Sequence, residues 1–415
     1  MKFDTIIIGG GLSGLVCGIR LSQKGQRCAI VSSGQSALHF SSGSFDLLNK
    51  LPDGSNVISP QSDISKLIEQ VPIHPYAKLG EPKFTRLASE AQNFFNEIQI
   101  PVRGSLKENH YRITPMGTLK PTWLSVEGYA SVNDKEKLPW KKVSIFNIIG
   151  FLDFYPRFIA EEFAKLGTES DIKLFNFEPI DHLRRNPSEM RSTNIARVLD
   201  QHINKLSQIL NERSGDSDAI IFPACVGLDY SAVKRLKELV NKPILLIATM
   251  PPSIVGIYTQ QYLHDYFVHM GGVYMLGDNI LKADIENNNV KRVYSYNHGD
   301  IPFSGKNFVL ATGSYFSQGL IATSERIYEP IFNLDVNYSS DRTKWYTDKL
   351  FDSHNYQHYG VKTDDMFRGL YKNKPIENLY VSGAILDGFN PVKEGSGAGV
   401  SILSALSIAE TILSK

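Results

Sequence analysis

"FDTIIIGGGLSGLVCGIRLSQKGQRCAIVSSGQ", residues 3 to 35, decides the fold. The apolar run from Asp4 to Ile8 has the near-continuous hydrophobic character of a parallel strand buried on both faces. Gly9, Gly11 and Gly14 then form G-x-G-x-x-G, and Leu12, Leu15, Val16 and Ile19 share one face of the helix that follows. Gly25 is placed to end that helix, and residues 27–31 return as a second strand. In such a unit the first glycine permits a tight turn and the second lets the backbone approach a phosphate. The third lets helix and strand pack closely, with the helix N-terminus facing the anion. This order predicts a nucleotide-binding βαβ unit; a glycine-rich turn without a ligand is the plainer alternative. The end of the second strand departs from the pattern. Where a ribose-binding Asp or Glu belongs, this chain has Ser32, Ser33 and Gly34.

The bulk properties bound what surrounds this unit. A length of 415 residues predicts two or three domains, and 44 basic residues nearly cancel 43 acidic ones. No global field therefore favours nucleic acid or an anionic membrane. The three cysteines (Cys17, Cys28, Cys225) include no C-x-x-C pair, which argues against a disulfide framework, a zinc site or an iron–sulfur cluster held by this chain alone. A reducing cytoplasm fits that usage. The first strand begins within five residues of Met1, leaving no room for a signal peptide. The apolar stretch 243–257 is short of a membrane span and is interrupted by Pro251 and Pro252, so a soluble chain is expected.

Along the middle, periodicity predicts helices over 62–70, 84–98, 155–167, 191–212 and 229–242, and strands over 143–149, 218–224 and 243–249. "NFVLATG" (307–313) reads as a strand running into a small-residue turn, and the chain closes on a strand, a glycine-rich loop and a long helix. No internal repeat or low-complexity linker is evident.

"VLATG" (309–313) resembles the second fingerprint of flavoproteins with two dinucleotide-binding domains, and "LYVSGA" (379–384) with "EGSGAG" (394–399) resembles their third. That resemblance places Ala311, Thr312 and Gly313, and then Gly383, Ala384 and Gly397, beside a flavin. Ala384 stands where those proteins usually carry Asp. The implied fold class is an α/β, Rossmann-like FAD/NAD(P)-binding flavoprotein with an inserted second α+β capping domain. The flavin domain would gather 1–50, 255–320 and 375–415, and the cap 51–254 and 321–374.

Five further stretches narrow the resemblance: residues 9–54, "PMGTLKPTW" (115–123), "IIGFLDFYPRFIA" (148–160), "TMPPSIVGI" (249–257) and "SGAILDGFNPVKEGSGAGV" (382–400). They resemble the B subunit of anaerobic glycerol-3-phosphate dehydrogenase over essentially the whole chain. The resemblance implies a flavoprotein working with a catalytic flavin subunit and a membrane-associated iron–sulfur subunit. It also implies a cytoplasmic chain, peripheral on the inner membrane through a partner. The set would oxidise sn-glycerol 3-phosphate to dihydroxyacetone phosphate and pass electrons to quinone. Two rivals stand beside it: a self-sufficient flavin dehydrogenase or reductase of another small substrate, and a non-catalytic flavin-binding docking subunit.

The resemblance implies FMN as the cofactor, which would give the missing carboxylate a reason. FMN ends at one phosphate and has no adenosine ribose to hold. FAD is the runner-up, with Ser32 or Ser33 contacting its ribose. After strand two, Ser41, Ser42, Gly43 and Ser44 are placed to thread past the flavin ring, and His39 is the candidate base. A phosphorylated substrate wants cations. Arg103, Arg112, Lys120 and Lys393 lie near turns, and Lys120 and Lys393, within the family-like motifs, are the preferred catalytic candidates. Trp123 would pack beside the flavin or fill core.

Overall fold

A computed structural model describes residues 1–415. It opens as the first stretch requires, with β1 (Lys2–Ile8), α1 (Leu12–Gln23) and β2 (Cys28–Ser32). The chain then leaves this sheet for a long insertion. Helices over Pro60–Gln70 and Glu81–Glu97 come first, then a hairpin of β3 (His110–Ile113) and β4 (Leu119–Thr122). A regular alternation follows: β5 (Lys142–Ile148), α2 (Pro156–Lys165), β6 (Glu169–Phe175), α3 (Ser192–Gln201), α4 (Ile203–Arg213) and β7 (Ala219–Pro223). It ends with α5 (Tyr230–Leu239) and β8 (Ile244–Ile247). From there α6 (Ile254–His269) leads back to the first sheet through β9 (Val273–Leu276). An antiparallel excursion over Ile280–Glu286 and Asn289–Ser295 precedes β10 (Phe303–Leu310). The chain closes with β11 (Lys374–Val381) and α7 (Gly397–Leu413).

The first sheet runs β9-β2-β1-β10-β11, every pair parallel. Ile6 and Ile7 sit at its centre with no exposed surface, because β1 is paired on both edges and α1 packs against α6 and α7. This is the expected α/β flavoprotein arrangement. All three glycine-bearing turns lie at the carboxyl ends of its strands, where open parallel sheets bind ligands.

The insertion has a parallel sheet of its own, ordered β6-β5-β7-β8. The turn after β7 looks like a second anion cradle but is already filled. The Asp200 carboxylate, from α3, accepts the Gly227 amide at 2.7 Å and the Asp229 amide at 3.2 Å. The fold supplies its own anion there, so no second phosphate site forms at this turn.

Two local departures have physical causes. The single helix expected over 191–212 breaks at His202 into α3 and α4. The His202 imidazole Nδ1 lies 2.9 Å from the Val198 carbonyl, the acceptor its own amide would use in an α-helix, and that amide turns to Leu199 instead. Short strands between 102 and 132, including β3 and β4, have no counterpart among the expected elements. Segments of two to four residues are too brief to show a period of two.

Candidate functional site

The glycine turn after β1 is built by close approach. Gly9 has φ +113°, and a Cβ there would lie 2.2 Å from the Ala311 carbonyl oxygen, so the turn after β1 presses against the end of β10. Gly11 is the N-cap of α1 and offers no side-chain cap, which leaves first-turn amides for an external anion.

Buried hydroxyls tie the three loops together. Ser13 Oγ lies 2.5 Å from Ser382 Oγ, which lies 2.8 Å from Ser404 Oγ, joining the start of α1, the end of β11 and the body of α7. Gly383 fits between them, its amide donating to Ser404 Oγ at 3.1 Å. Thr312 Oγ1, Tyr315 Oη and Tyr359 Oη are buried without a partner. Polar atoms left so are costly unless a ligand or water answers them.

A cavity of about 420 Å³ opens where the two sheets meet, within the range of small-molecule sites. Phe40, Ser41, Ser42, Ser44 and Asp46 line it from the first domain, with Gly397 and Ala398 at the start of α7. Ala248 to Pro251, the carboxyl end of β8, close the opposite wall. The α7 N-cap, Ser396, makes no side-chain cap, and Gly399 N–H already donates to the Asp46 carbonyl at 2.9 Å. The first two amides of α7 thus stand at the cavity with its positive dipole end.

Arg112 completes the wall. It stands directly opposite Lys120 across the β3–β4 hairpin, a pairing of like charges that is unfavourable by itself. Asp46 relieves it, with Oδ2 3.9 Å from Arg112 Nη2 and 3.6 Å from Lys120 Nζ. Arg112 Nη1 also donates to Ser42 Oγ, while Arg112 Nε and Asp46 Oδ1 are buried and unpartnered. Two cations against one carboxylate leave the cluster with one excess positive charge.

The expected site residues separate accordingly. Ser41, Ser42 and Gly397 line the cavity, while Gly43, beside them, packs its backbone against Val255. Lys120 reaches the cluster through Asp46. Lys393 does not: its Nζ donates to the Phe351 carbonyl at 2.6 Å on an exposed face. His39 is not a lining residue either, since the 3₁₀ turn Ala37–Phe40 brings Phe40 to the cavity instead. Burial lowers the pKa of His39. Ser32 is buried with its Oγ donating to the Gly34 carbonyl at 3.0 Å, and Ser33 is exposed. Ala311, Thr312 and Gly313 follow β10, Gly383 and half-buried Ala384 follow β11, and Trp123 fills core. No local pattern gives Asp46 or the β8 end a role in a site, although "HFSSGSFD" contains the first and "TMPPSIVGI" most of the second.

His110, on β3 beside this cluster, gives the site a pH signature. Its Nε2 lies 2.7 Å from Ser125 Oγ, and its Nδ1 is buried without a partner. Burial, with the Arg103 guanidinium as second cause, pushes its pKa down from 6.5 to about 4. Between those values the unfolded chain carries a proton that the folded chain refuses. Stability is therefore full above about 6.5 and is lost as pH falls through about 4, by about 3 kcal/mol. His110→Gln should flatten the acid limb of melting temperature against pH across that window. An unchanged limb would assign the acid sensitivity elsewhere.

The donor set suits a flavin: an uncapped glycine turn for phosphate, orphaned hydroxyls at 312, 315 and 359, and helix amides beside a cationic cavity. The chain matches the FAD binding domain family over residues 4–400. Curated relatives, each named as the B subunit of an anaerobic glycerol-3-phosphate dehydrogenase, align along all of it. The protein from Yersinia enterocolitica is 46% identical over 100% of this chain and 99% of its own. Those from Pectobacterium atrosepticum and Actinobacillus succinogenes are 40% and 38% identical with the same coverage.

Proposed function

The chain belongs to the family of anaerobic glycerol-3-phosphate dehydrogenase B subunits, and from that premise we propose that it is the flavoprotein subunit linking glycerol 3-phosphate oxidation to quinone. The proposed cofactor is FMN, held at the Gly9–Gly14 turn, at Thr312 and at the start of α7. A bound flavin supplies acceptance of an electron pair and its release in single steps. The observation that carries the reading is the Arg112–Asp46–Lys120 cluster, one net positive charge facing a cavity beside a helix N-terminus. Arg112 offers a planar fork suited to a phosphate, and the hairpin holds it rigid.

Electrons leaving this chain need a conduit. Cys17, Cys28 and Cys225 are each buried, and burial holds all three thiols protonated, Cys28 up to about 12. None is poised to ligate a cluster, so the one-electron centres belong to an iron–sulfur partner. No helix is long and apolar enough to cross a membrane. The partner therefore also brings the chain to its quinone. Phe40 and Phe316, exposed and in edge contact at 5.4 Å beside the cavity, suit a covered protein surface.

The test compares this chain alone, the pair with the catalytic flavin subunit, and the full set, each with glycerol 3-phosphate and membrane quinone. Only the full set should reduce quinone, and omission of this chain should abolish that activity. Rapid quinone reduction by the lone chain would overturn the relay in favour of a self-sufficient dehydrogenase. Dye reduction by the catalytic subunit that is indifferent to this chain would favour a docking role.

A further inference from the structure

The ring end and the nucleotide end of the site differ in what they leave unsatisfied. Around the cavity and the β10 turn, five buried polar atoms lack partners: Asp46 Oδ1, Arg112 Nε, Thr312 Oγ1, Tyr315 Oη and Tyr359 Oη. At the end of β2, where a dinucleotide's adenosine ribose would be held, the polar groups bond to one another. Ser32 Oγ donates to the Gly34 carbonyl, and Gln260 Oε1 accepts both the Ser36 hydroxyl at 2.7 Å and the Ser36 amide at 3.3 Å.

Tyr274 fills the remaining space. It lies on β9 opposite Ile30, so its ring runs along the sheet toward the Ser32 end of β2. Its hydroxyl donates to the Gly10 carbonyl at 3.2 Å, and His264 of α6 packs edge-on against the ring at 4.6 Å. A Cβ built on Gly10 would lie 2.0 Å from Tyr274 Oη and 2.8 Å from Ser32 Cβ. The phenol thus stands between the Gly10 turn and the Ser32 side chain, at the end of β2. A carboxylate there would hold a ribose diol through two acceptor oxygens, whereas this phenol, tethered to the Gly10 carbonyl, takes up the space the diol would need.

We propose that Tyr274, fixed on Gly10 and backed by Gln260 and His264, closes the ribose subsite and restricts the flavin to its mononucleotide form. This rests on the flavoprotein reading above and adds the residue that sets cofactor length. Closing the subsite with a stiff aromatic plug costs no ordering on binding, because the ring is already packed. It leaves the phosphate turn intact, since the contact is to the Gly10 carbonyl and not to an amide.

Purified apoprotein should be titrated with FMN and with FAD, following flavin fluorescence, for the native chain and for Tyr274→Ala, Tyr274→Leu and Tyr274→Phe. The native chain should prefer FMN by at least about tenfold. Tyr274→Ala should raise FAD affinity about tenfold while FMN affinity stays within about threefold. Tyr274→Leu, which keeps an apolar contact for His264, should move the ratio the same way and serves if the alanine variant is unstable. Tyr274→Phe keeps the plug and should keep the preference. An unchanged FMN-to-FAD ratio in both smaller variants overturns the proposal. So does loss of FAD affinity on Tyr274→Phe, which would make the phenol a ribose ligand. Binding of neither flavin by the native chain would instead overturn the flavoprotein reading and this proposal with it.

Discussion

Gly11→Val gives a folded, colourless protein. Gly11 has φ −84° and ψ −170°, an extended conformation open to any residue, and a Cβ there meets nothing closer than Ser36 Cβ at 3.6 Å. The protein itself therefore accommodates a side chain that intrudes only on an anion at the α1 N-terminus. Loss of two charge-assisted hydrogen bonds to a phosphate lowers flavin affinity by about 100-fold or more. Absorbance of the purified variant reads the loss, and its melting temperature should stay within a few degrees of the native apoprotein. Gly14→Val is the contrast: a Cβ there lies 2.0 Å from the Gly9 carbonyl oxygen, so the turn itself must break. That variant should be both colourless and destabilised. A Gly11→Val protein with full flavin would remove the phosphate from this turn.

Arg112→Ala, assayed in the full set, lowers glycerol 3-phosphate turnover about 10- to 100-fold, the range of one or two lost charge-assisted bonds. Arg112→Lys recovers part of it, because charge returns without the planar fork. Asp46→Asn moves the other way in KM, since removing the carboxylate raises the net charge of the cluster from one to two. Steady-state kinetics at low and high salt separate the two effects, with the KM changes shrinking at high salt. If neither substitution changes turnover, the phosphorylated substrate is held elsewhere in the complex.

What the sequence discloses about this site follows from range. The glycine turn, α1 and β2 lie within one stretch of thirty residues or so, and each element shows its own periodicity, so the βαβ unit is legible directly. The parallel strands β5, β7 and β8 are legible for the same reason: each is an apolar run, and β7 and β8 are flanked by helices on both sides. The cavity is another matter. It joins residues near 40, 112, 250 and 397, brought together by two sheets and a hairpin too short to announce itself. Arg112 is one of four cations near turns, and nothing local marks it above Lys393. Only the β3–β4 register sets Arg112 against Lys120, and only the fold turns Lys393 away toward Phe351. Ser32 is legible as an absence. Its explanation, a tyrosine more than two hundred residues later, is not.

The pairing of β1 with β10 also sets a timetable for synthesis. Ile8 finds its neighbour Leu310 only after the whole insertion has been made, a delay on the order of tens of seconds at ribosomal speed. Until then the first domain presents an open apolar strand edge, a template for mispairing between nascent chains. The inserted parallel sheet has no such wait, because all four of its strands lie within 142–247. The later-born sheet can close first, and the first sheet waits for residues 374–413 to supply β11 and α7. Cofactor capture is thereby tied to the last helix leaving the ribosome, so a chain truncated before it would carry the phosphate turn without a finished site to use it.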